Sequence, residues 1–257
     1  MYHHRSSHPA GDGGVVEVAF TDRHGGVSEG PFASLNLAVD GADDPAARAE
    51  NLRRVLADFA PGDDLVDLRQ VHGATVHVDD GSRGQAGARP EADGVVTGRA
   101  GAVLAVRAAD CVPVLLADLE TGVVGAAHAG RQGVLTGVVP ATVVRMRELG
   151  AGPVTAWIGP HVCGACYEVP EQLQREVLAA VPQSRATTSW GTPALDLGAG
   201  VRAQLAAAPG GPVTVVDVSA CTLESDHLYS HRRDSGRAGR IAGLVRRSPP
   251  RAGREAS

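Results

Sequence analysis

The chain has 257 residues and a formal net charge of −5, with 43% hydrophobic and 21% charged residues, which is ordinary for a globular protein. No apolar run reaches the roughly 18 residues of a membrane span, and the acidic charge with only 3% aromatic residues argues against a nucleic-acid binder. We therefore predict neither a membrane nor nucleic acid as a partner. All 24 basic residues are arginine, which excludes chemistry that needs a lysine, such as a Schiff base or a Walker-type phosphate loop.

Both ends of the chain are polar. We expect residues 1–14 and 248–257 to be flexible segments that flank a single domain over residues 15–247. The first 14 residues also contain no hydrophobic segment of the secretory-signal kind, which favours a cytoplasmic location.

The first half of the domain begins with a predicted strand over residues 15–20. Asp44 followed by Pro45 is typical of a helix start, with Asp44 as the N-cap. Four apolar residues then recur at helical spacing and give this helix one apolar face: Leu52, Val55, Leu56 and Phe59. Further strands are predicted over residues 66–71, 75–78, 102–118 and 122–128, the third of them broken near Pro113.

The second half continues the alternation of helices and strands. A helix is predicted over residues 132–149, where Pro140 should introduce a kink or an irregular turn. The remaining helices are predicted over residues 170–181 and 201–208, and the remaining strands over residues 154–158, 195–197 and 213–218, the last of them buried. The glycine-rich residues 81–90 are typical of a surface loop. The fold class predicted is mixed α/β, a single domain of mixed β-sheet flanked by helices.

Two glycine motifs resemble known sites. Residues 26–30 spell G-x-S-x-G, but residues 22–25 separate them from the preceding strand and no helical pattern follows, as a hydrolase nucleophile elbow would require. Residues 198–203 spell G-x-G-x-x-A, but the strand before them is only three residues long and the motif lies late in the chain. We interpret neither motif as an active site.

Three predicted extended segments end in a side chain that can bind a metal ion: His72, Cys111 and His128. They are 39 and 17 residues apart, so they form no local zinc finger and would have to be gathered from separate strand ends. Two imidazoles and a thiolate suit Zn²⁺, and three protein ligands leave one position open, as in catalytic zinc sites. Each residue also has a structural interpretation, as a hydrogen-bonded histidine or a small buried cysteine.

Cys163 and Cys166 form a C-x-x-C pair. Such a pair can be half of a structural zinc site or a redox couple. The sequence contains no second pair and no thioredoxin-like context, and we interpret these residues as reduced structural cysteines.

Several motifs, taken together, resemble the bacterial laccase-domain (YfiH-like) family over nearly the whole chain and in the same order. They are FTDRHGGVSEGPFASLNL, RQVHG, the acidic-glycine element EADGV, ADCVPVLLAD, GAAHAG, IGPHVCGACYEV and a tail of the CT…YSHRR…GR kind. The chain departs from this family in two places: Arg131-Gln132 stands where Trp-Arg is usual, and Asn51-Leu52-Arg53 stands where Asn-Arg is common.

This resemblance implies that His72, Cys111 and His128 are zinc ligands and catalytic residues. It also implies a purine nucleoside phosphorylase, which cleaves adenosine, inosine, guanosine or methylthioadenosine with phosphate to give the free base and a ribose 1-phosphate. Deamination of adenosine is a further activity described for the family, and an older description of its members is copper-dependent polyphenol oxidase. The implied partners are therefore a purine nucleoside and phosphate.

Phosphorolysis requires groups that bind an anion. Guanidinium groups and free backbone N–H groups bind phosphate well, so we predict phosphate or substrate contacts from Arg23, Ser28 and Arg131. The family resemblance implies a further arginine from the early helix, for which Arg53 or Arg54 could substitute.

Three alternatives remain open from the sequence. One is a metal-free hydrolase or deamidase with Cys111 as the nucleophile and His128 as the base. The second is a copper phenol oxidase, although the chain has none of the H-x-H pairs that a multicopper enzyme needs. The third is a non-catalytic protein that uses zinc structurally.

Overall fold

The structure is a computed structural model that describes residues 1–82 and 89–249. The strands within these residues are β1 (Tyr2–Pro9), β2 (Val15–Thr21), β3 (Asp64–Val66), β4 (Val76–Asp79), β5 (Gly94–Thr97), β6 (Ala102–Ala108), β7 (Val112–Ala117), β8 (Val124–Ala129), β9 (Val154–Ile158), β10 (Arg185–Thr187), β11 (Pro193–Leu195), β12 (Val213–Asp217) and β13 (Ile241–Ser248). The α-helices are α1 (Pro45–Phe59), α2 (Arg131–Thr136), α3 (Val138–Glu148), α4 (Glu171–Ala180) and α5 (Leu197–Ala206).

Two mixed sheets stack face to face at the centre of the domain. The first has the strand order β1-β2-β13-β6-β3, and the second has the order β12-β9-β7-β8-β5-β4. Phe20, Leu115 and Trp157 are fully buried in the apolar layer between them. Because a strand presents alternate residues to each face, both sheets need a second cover on their outer sides.

Helices supply that cover. On the outer face of the first sheet, α1 buries Val55 and Phe59, so the predicted apolar face of this helix is confirmed. The Asp44 side chain accepts a hydrogen bond from the N–H of Ala46, which confirms the predicted cap. On the outer face of the second sheet, α2 to α5 bury residues such as Met146 and Val177. The predicted mixed α/β class is therefore confirmed, with two stacked sheets at its centre.

Residues 1–14 differ from the flexible segment that we expected. Within them, β1 pairs antiparallel with β2 from Tyr2 to Pro9, and its residues alternate between half-buried and exposed. The polar sequence YHHRSSHP hides this strand because β1 lies at the edge of the sheet and has no fully buried face. Its hydrogen bonds to β2, and not apolar burial, define the element.

The helix predicted over residues 132–149 consists of two helices. The chain breaks at Gly137, which has a left-handed φ of 81° that glycine adopts without strain. Pro140 lies in the first turn of α3, where its missing N–H has no partner to lose, so it does not kink the helix.

Three other predictions need correction. Helix α5 begins at Leu197, four residues earlier than predicted, because the Asp196 side chain caps it. The strand predicted over residues 66–71 ends at Val66. Strand β12 lies at a sheet edge and is half exposed, where a buried strand was predicted.

The C-terminal strand was not predicted. β13 lies between β2 and β6 in the first sheet, and Ser248, which we assigned to the flexible tail, pairs with Val15. Residues 250–257 of the predicted tail and residues 83–88 of the predicted 81–90 loop lie outside the described residues. Of the helices that the structure describes, none combines the length and hydropathy needed to span a membrane.

Candidate functional site

Strand register brings the predicted metal-binding residues together. Cys111 directly precedes β7 and His128 lies in β8, and the antiparallel pairing of these strands places the two side by side. The loop between β3 and β4 carries His72, whose ring lies 4.9 Å from that of His128 between centroids. Each residue offers one ligand atom, and the three atoms lie within 4.8 Å of one another.

Asp93 holds the backbone of the His72 loop and the imidazole of His128. Its carboxylate accepts hydrogen bonds from the N–H groups of Val71, His72 and Gly73, at 3.0, 3.0 and 2.7 Å, and contacts His128 Nδ1 at 2.8 Å. Burial alone would raise the pKa of Asp93, but the hydrogen bonds from His128 and the backbone lower it overall. Asp93 is therefore an ionised group that holds the His72 loop and turns His128 Nε2 toward the site.

Two residues at the site have backbone conformations that residues other than glycine rarely adopt. His72 and Asp110 have φ angles of 62° and 84°, each of which costs about 1–3 kcal/mol and persists only where neighbours fix it. Thr222 Oγ1 and the N–H of Arg232 donate to the Asp110 carboxylate at 2.6 and 2.7 Å, which anchors the residue before Cys111. Contacts with the rest of the fold, and not the local backbone preference, therefore position the loops that carry His72 and Cys111.

Gly130 packs against His72 and Cys111. A Cβ atom at Gly130 would lie 2.9 Å from His72 Cδ2, closer than real Cβ atoms approach, and 3.0 Å from Cys111 Sγ, a tight contact. The glycine after the GAAHA segment therefore allows the backbone to pack closely against these two residues.

The thiol and the imidazole form an ion pair in the metal-free protein. Burial would raise the pKa of Cys111, but His128 and His72 lower it to about 6. Burial would lower the pKa of His128, but Cys111 and Asp93 raise it to about 9. Between these values Cys111 is a thiolate and His128 an imidazolium, and metal binding would release the imidazolium proton.

Cys111 should be alkylated at unusually low pH in the metal-free protein. Because the thiolate is the nucleophile, the rate should rise as pH increases through about 6, whereas an ordinary cysteine titrates near about 8.5. Mass spectrometry of iodoacetamide-treated, chelator-stripped protein measures the rate at each cysteine. Cys163, whose pKa burial raises, is the internal control and should react only at higher pH. A Cys111 midpoint at or above 8.5 would contradict the ion pair.

The three residues fit a metal ion by their chemistry. Two imidazoles and a thiolate form a typical nitrogen and sulfur ligand set, and His128 Nδ1 has the carboxylate partner common for metal-bound histidines. His72 is exposed, Cys111 is half-buried and His128 is buried, so the group is open on one side.

That open side faces a cavity of about 630 Å³, within the usual size range of small-molecule sites. Four arginines share its lining with the three ligand residues: Arg69, Arg89, Arg107 and Arg240. The first two are exposed and pair with Glu91 and Asp67. The buried Arg107 also pairs with Asp67.

Arg240 differs from the other three arginines. Its half-buried guanidinium donates to the backbone oxygens of Ala238 and Gly239, at 2.8 and 3.0 Å. No carboxylate of residues 1–82 or 89–249 forms an ion pair with it. Burial lowers the pKa of Arg240, but an arginine keeps its charge. No sequence pattern predicted a role for this residue, although it ends the CT…GR tail.

The predicted substrate residues Arg23 and Ser28 lie elsewhere. The Arg23 guanidinium stacks 4.6 Å from the centre of the Tyr229 ring. The buried Ser28 hydroxyl donates to Asp43 at 2.6 Å and accepts from Asn51 at 2.9 Å, so both of these hydrogen bonds lie inside the fold.

Arg53 and Arg131 are also not among the residues that line the cavity. Arg53 is exposed on α1 and forms two hydrogen bonds with Glu50, at 2.7 and 2.9 Å. Arg131 begins α2 and is half-buried. The structure thus gathers His72, Cys111 and His128 and separates them from Arg23, Ser28 and Arg53, whose predicted contacts with phosphate stay predictions, as does that of Arg131.

Comparisons with known proteins agree with this architecture. A protein of Streptomyces griseus named purine nucleoside phosphorylase ORF3 is 51% identical over 239 residues, covering 90% of this chain and 94% of the relative. The solved structure of protein NMB0706 from Neisseria meningitidis superposes with a TM-score of 0.81 at 31% identity, covering 95% of this chain and 98% of that one. YlmD from Geobacillus stearothermophilus gives 0.80 at 32% identity, covering 94% and 98%.

The fold, with its open group of residues that could hold a metal ion, defines an α/β protein of the kind represented by these structures. The sequence model of the multi-copper polyphenol oxidoreductase laccase family matches residues 17–248. The chain belongs to this family, as its motifs indicated.

Proposed function

We propose that the protein is a zinc-dependent purine nucleoside phosphorylase that acts in the cytoplasm. The observation that carries this proposal is the open His72, Cys111 and His128 group at the wall of a cavity that also contains Arg240, which pairs with no carboxylate of the described residues. The relatives named purine nucleoside phosphorylase support the substrate class. The free state of all four cysteines supports the location, because disulfides are rare in the cytoplasm.

Zinc suits the site better than copper oxidase chemistry does. The family is named for copper, but a multicopper site requires many imidazoles. The two metal-competent groups found among the described residues contain only His72 and His128 as imidazole donors. A single zinc ion held by two histidines and one cysteine requires no further ligand from the chain.

Phosphorolysis breaks the bond between C1′ of the ribose and N9 of the purine, and it forms a bond between C1′ and a phosphate oxygen. The purine leaves with the electron pair of the broken bond, and the sugar carries positive charge in the transition state. A bound zinc ion would supply Lewis acidity at this point. Asp93 holds the ligand residues in place, and Arg240 binds the anion and brings it to the same cavity as the nucleoside.

Replacing Arg240 with alanine should raise the KM for phosphate about 10- to 100-fold, because a hydrogen bond to a charged group contributes about 1.5–3 kcal/mol. Steady-state kinetics with phosphate varied at saturating inosine measures this change. The matched control is Arg53→Ala, which removes an exposed arginine outside the cavity and should leave the phosphate KM unchanged. A larger effect at Arg53 than at Arg240 would support the original sequence prediction.

Product identification tests the proposal itself. Purified protein of known metal content is incubated with adenosine, inosine, guanosine or methylthioadenosine, with and without phosphate, and the products are identified by mass spectrometry. We expect free base and ribose 1-phosphate, or the methylthio sugar phosphate, only when phosphate is present. Inosine formed from adenosine without phosphate would reveal deamination. A zinc-loaded protein that yields no sugar phosphate from any of the four nucleosides would refute the proposal.

The Cys111 and His128 ion pair favours one second candidate, a metal-free cysteine hydrolase or deamidase. Full activity after removal of metal by a chelator, together with loss of activity on alkylation of Cys111, would support this candidate. Loss of activity on chelation and its return on addition of Zn²⁺ would support the phosphorylase.

A further inference from the structure

A second cluster of metal-competent side chains lies outside the cavity. The sulfur atoms of Cys163, Cys166 and Cys221 and a carboxylate oxygen of Glu224 all lie within 4.8 Å of one another. All three cysteines are free. None of the four side chains lines the cavity of the candidate active site, so the cluster has no part in the chemistry described above.

The topology explains why residues so distant in sequence meet. Strands β9 and β12 are parallel neighbours, and the chain beyond each strand continues side by side with the other, so that His161 bridges to Cys221. The loop after β9 contributes Cys163 and Cys166, and the loop after β12 contributes Cys221 and Glu224. A C-x-x-C pair therefore obtains its missing partners from a segment that sequence spacing did not connect to it.

The chemistry of the four groups matches zinc. Sulfur ligands at about 2.3 Å from a tetrahedral zinc ion lie about 3.8 Å from one another. The four ligand atoms of the cluster lie within 4.8 Å of one another, which is compatible with this spacing. The N–H of Cys163 donates to Cys221 Sγ at 3.5 Å, a contact that stabilises a thiolate ligand. The Cys166 thiol donates to Glu224 Oε1 at 3.4 Å, so the carboxylate occupies the fourth corner.

A disulfide explains the cluster less well. It would join two sulfurs, leave the third unpaired beside them and give Glu224 no role. Burial raises the pKa of Cys163 and Cys166, and the neighbouring thiols and Glu224 raise that of Cys166 further. A divalent cation bound by all four groups would offset the negative charge of the thiolates and the carboxylate.

We propose that Cys163, Cys166, Cys221 and Glu224 bind a structural Zn²⁺ ion. Four protein ligands leave no open position, which is the pattern of structural and not catalytic zinc. The carboxylate distinguishes this site from one for Cu(I), which prefers soft ligands only. The proposal is independent of the proposed nucleoside chemistry.

The ion would connect the second cluster to the ligand loop of the active site. The N–H of Val162 donates to the backbone oxygen of Asp110 at 3.1 Å, and Thr222 Oγ1 donates to its carboxylate at 2.6 Å. Val162 precedes Cys163, and Thr222 follows Cys221. A metal ion that joins these two loops therefore fixes both of the segments that hold Asp110, the residue before Cys111.

Cobalt substitution tests this site without interference from the other one. In the Cys111→Ser variant, the three cysteines of the cluster are the only cysteines left in the chain. The full-length variant is loaded with Co²⁺, and we expect an intense sulfur-to-cobalt charge-transfer band and one Co²⁺ bound through thiolates per chain. Adding Cys163→Ser should strongly reduce the band.

A second variant guards against misfolding of the cysteine substitution. Glu224 is exposed, so Glu224→Ala should fold normally and should weaken zinc binding to the cluster at least about 10-fold, measured by chelator competition in the Cys111→Ser background. Asp226→Ala, which removes an exposed carboxylate two residues away, is the matched control and should have no effect.

Two results would overturn the proposal. One is a folded Cys111→Ser protein that shows no thiolate band with Co²⁺ and binds no Zn²⁺ through its cysteines. The other is an intact mass under non-reducing conditions that is lower by two hydrogen atoms, with no metal present, because it would identify a disulfide in the cluster.

Discussion

Replacing Asp93 with asparagine is expected to lower metal affinity at the His72, Cys111 and His128 site about 10- to 100-fold and to reduce nucleoside cleavage at least as much. The carboxylate accepts hydrogen bonds from three successive N–H groups and from His128. An asparagine would turn an NH₂ group toward some of these donors and would remove the charge opposite the His128 ring. Breaking this buried arrangement should also cost about 3–5 kcal/mol of unfolding free energy.

Metal titration of the purified variant and urea denaturation measure the two effects separately. The matched control is Glu91→Gln, which neutralises an exposed carboxylate two residues earlier whose partner is the exposed Arg69. It should change neither metal affinity nor stability by a comparable amount. An Asp93→Asn variant with normal metal affinity would mean that the ligand residues hold their positions without the carboxylate.

Replacing Phe20 with alanine is expected to reduce the unfolding free energy by about 3–5 kcal/mol. The Phe20 ring is fully buried between the two sheets, and it fits against Gly159 and Gly243, where a Cβ atom would collide with or crowd the ring. Gly159 and Gly243 have no side chain that could fill the space that the ring would leave. The loss includes both the transfer of the ring to water and the cavity that remains.

Chemical denaturation followed by circular dichroism measures this loss. Trp190→Ala is the control, because Trp190 is an aromatic residue of which 54% is exposed, and its removal should change stability by less than about 1 kcal/mol. Metal content of the folded Phe20→Ala protein should remain normal because Phe20 is not among the residues that line the cavity of the candidate site. A cost below 1 kcal/mol for Phe20 would indicate that the sheets repack.

Local signals in the sequence predicted those elements that depend on neighbouring residues. Helix α1 followed from the Asp44 cap and the apolar spacing of Val55 and Phe59, and all of these features are present. Strand β1 was missed because an edge strand needs hydrogen bonds from its neighbour and not an apolar face. The break at Gly137 was assigned to Pro140 because proline is the stronger local signal, while the first turn of a helix tolerates it.

The candidate site likewise contains residues that local sequence signals indicate and residues whose role depends on the fold. His72, Cys111 and His128 could be selected because few side chain types bind metal and each ends an extended segment. Asp93 is visible in the sequence only as part of the EADGV motif, because its role depends on which N–H groups the fold turns toward it. Arg240 could not be found from spacing, because it reaches the cavity through the return of the C-terminal segment to the first sheet.

The first sheet cannot be completed until β13 has been synthesised, because β13 lies between β2 and β6. Its partner β2 is synthesised more than 200 residues earlier and cannot pair with β13 until nearly the whole chain has been made. Until then the backbone groups of β2 and β6 that pair with β13 lack these partners. Unpaired strand edges promote aggregation of the growing chain. Chains shortened by premature termination before residue 241 would keep those edges open and are natural targets for chaperones and proteases.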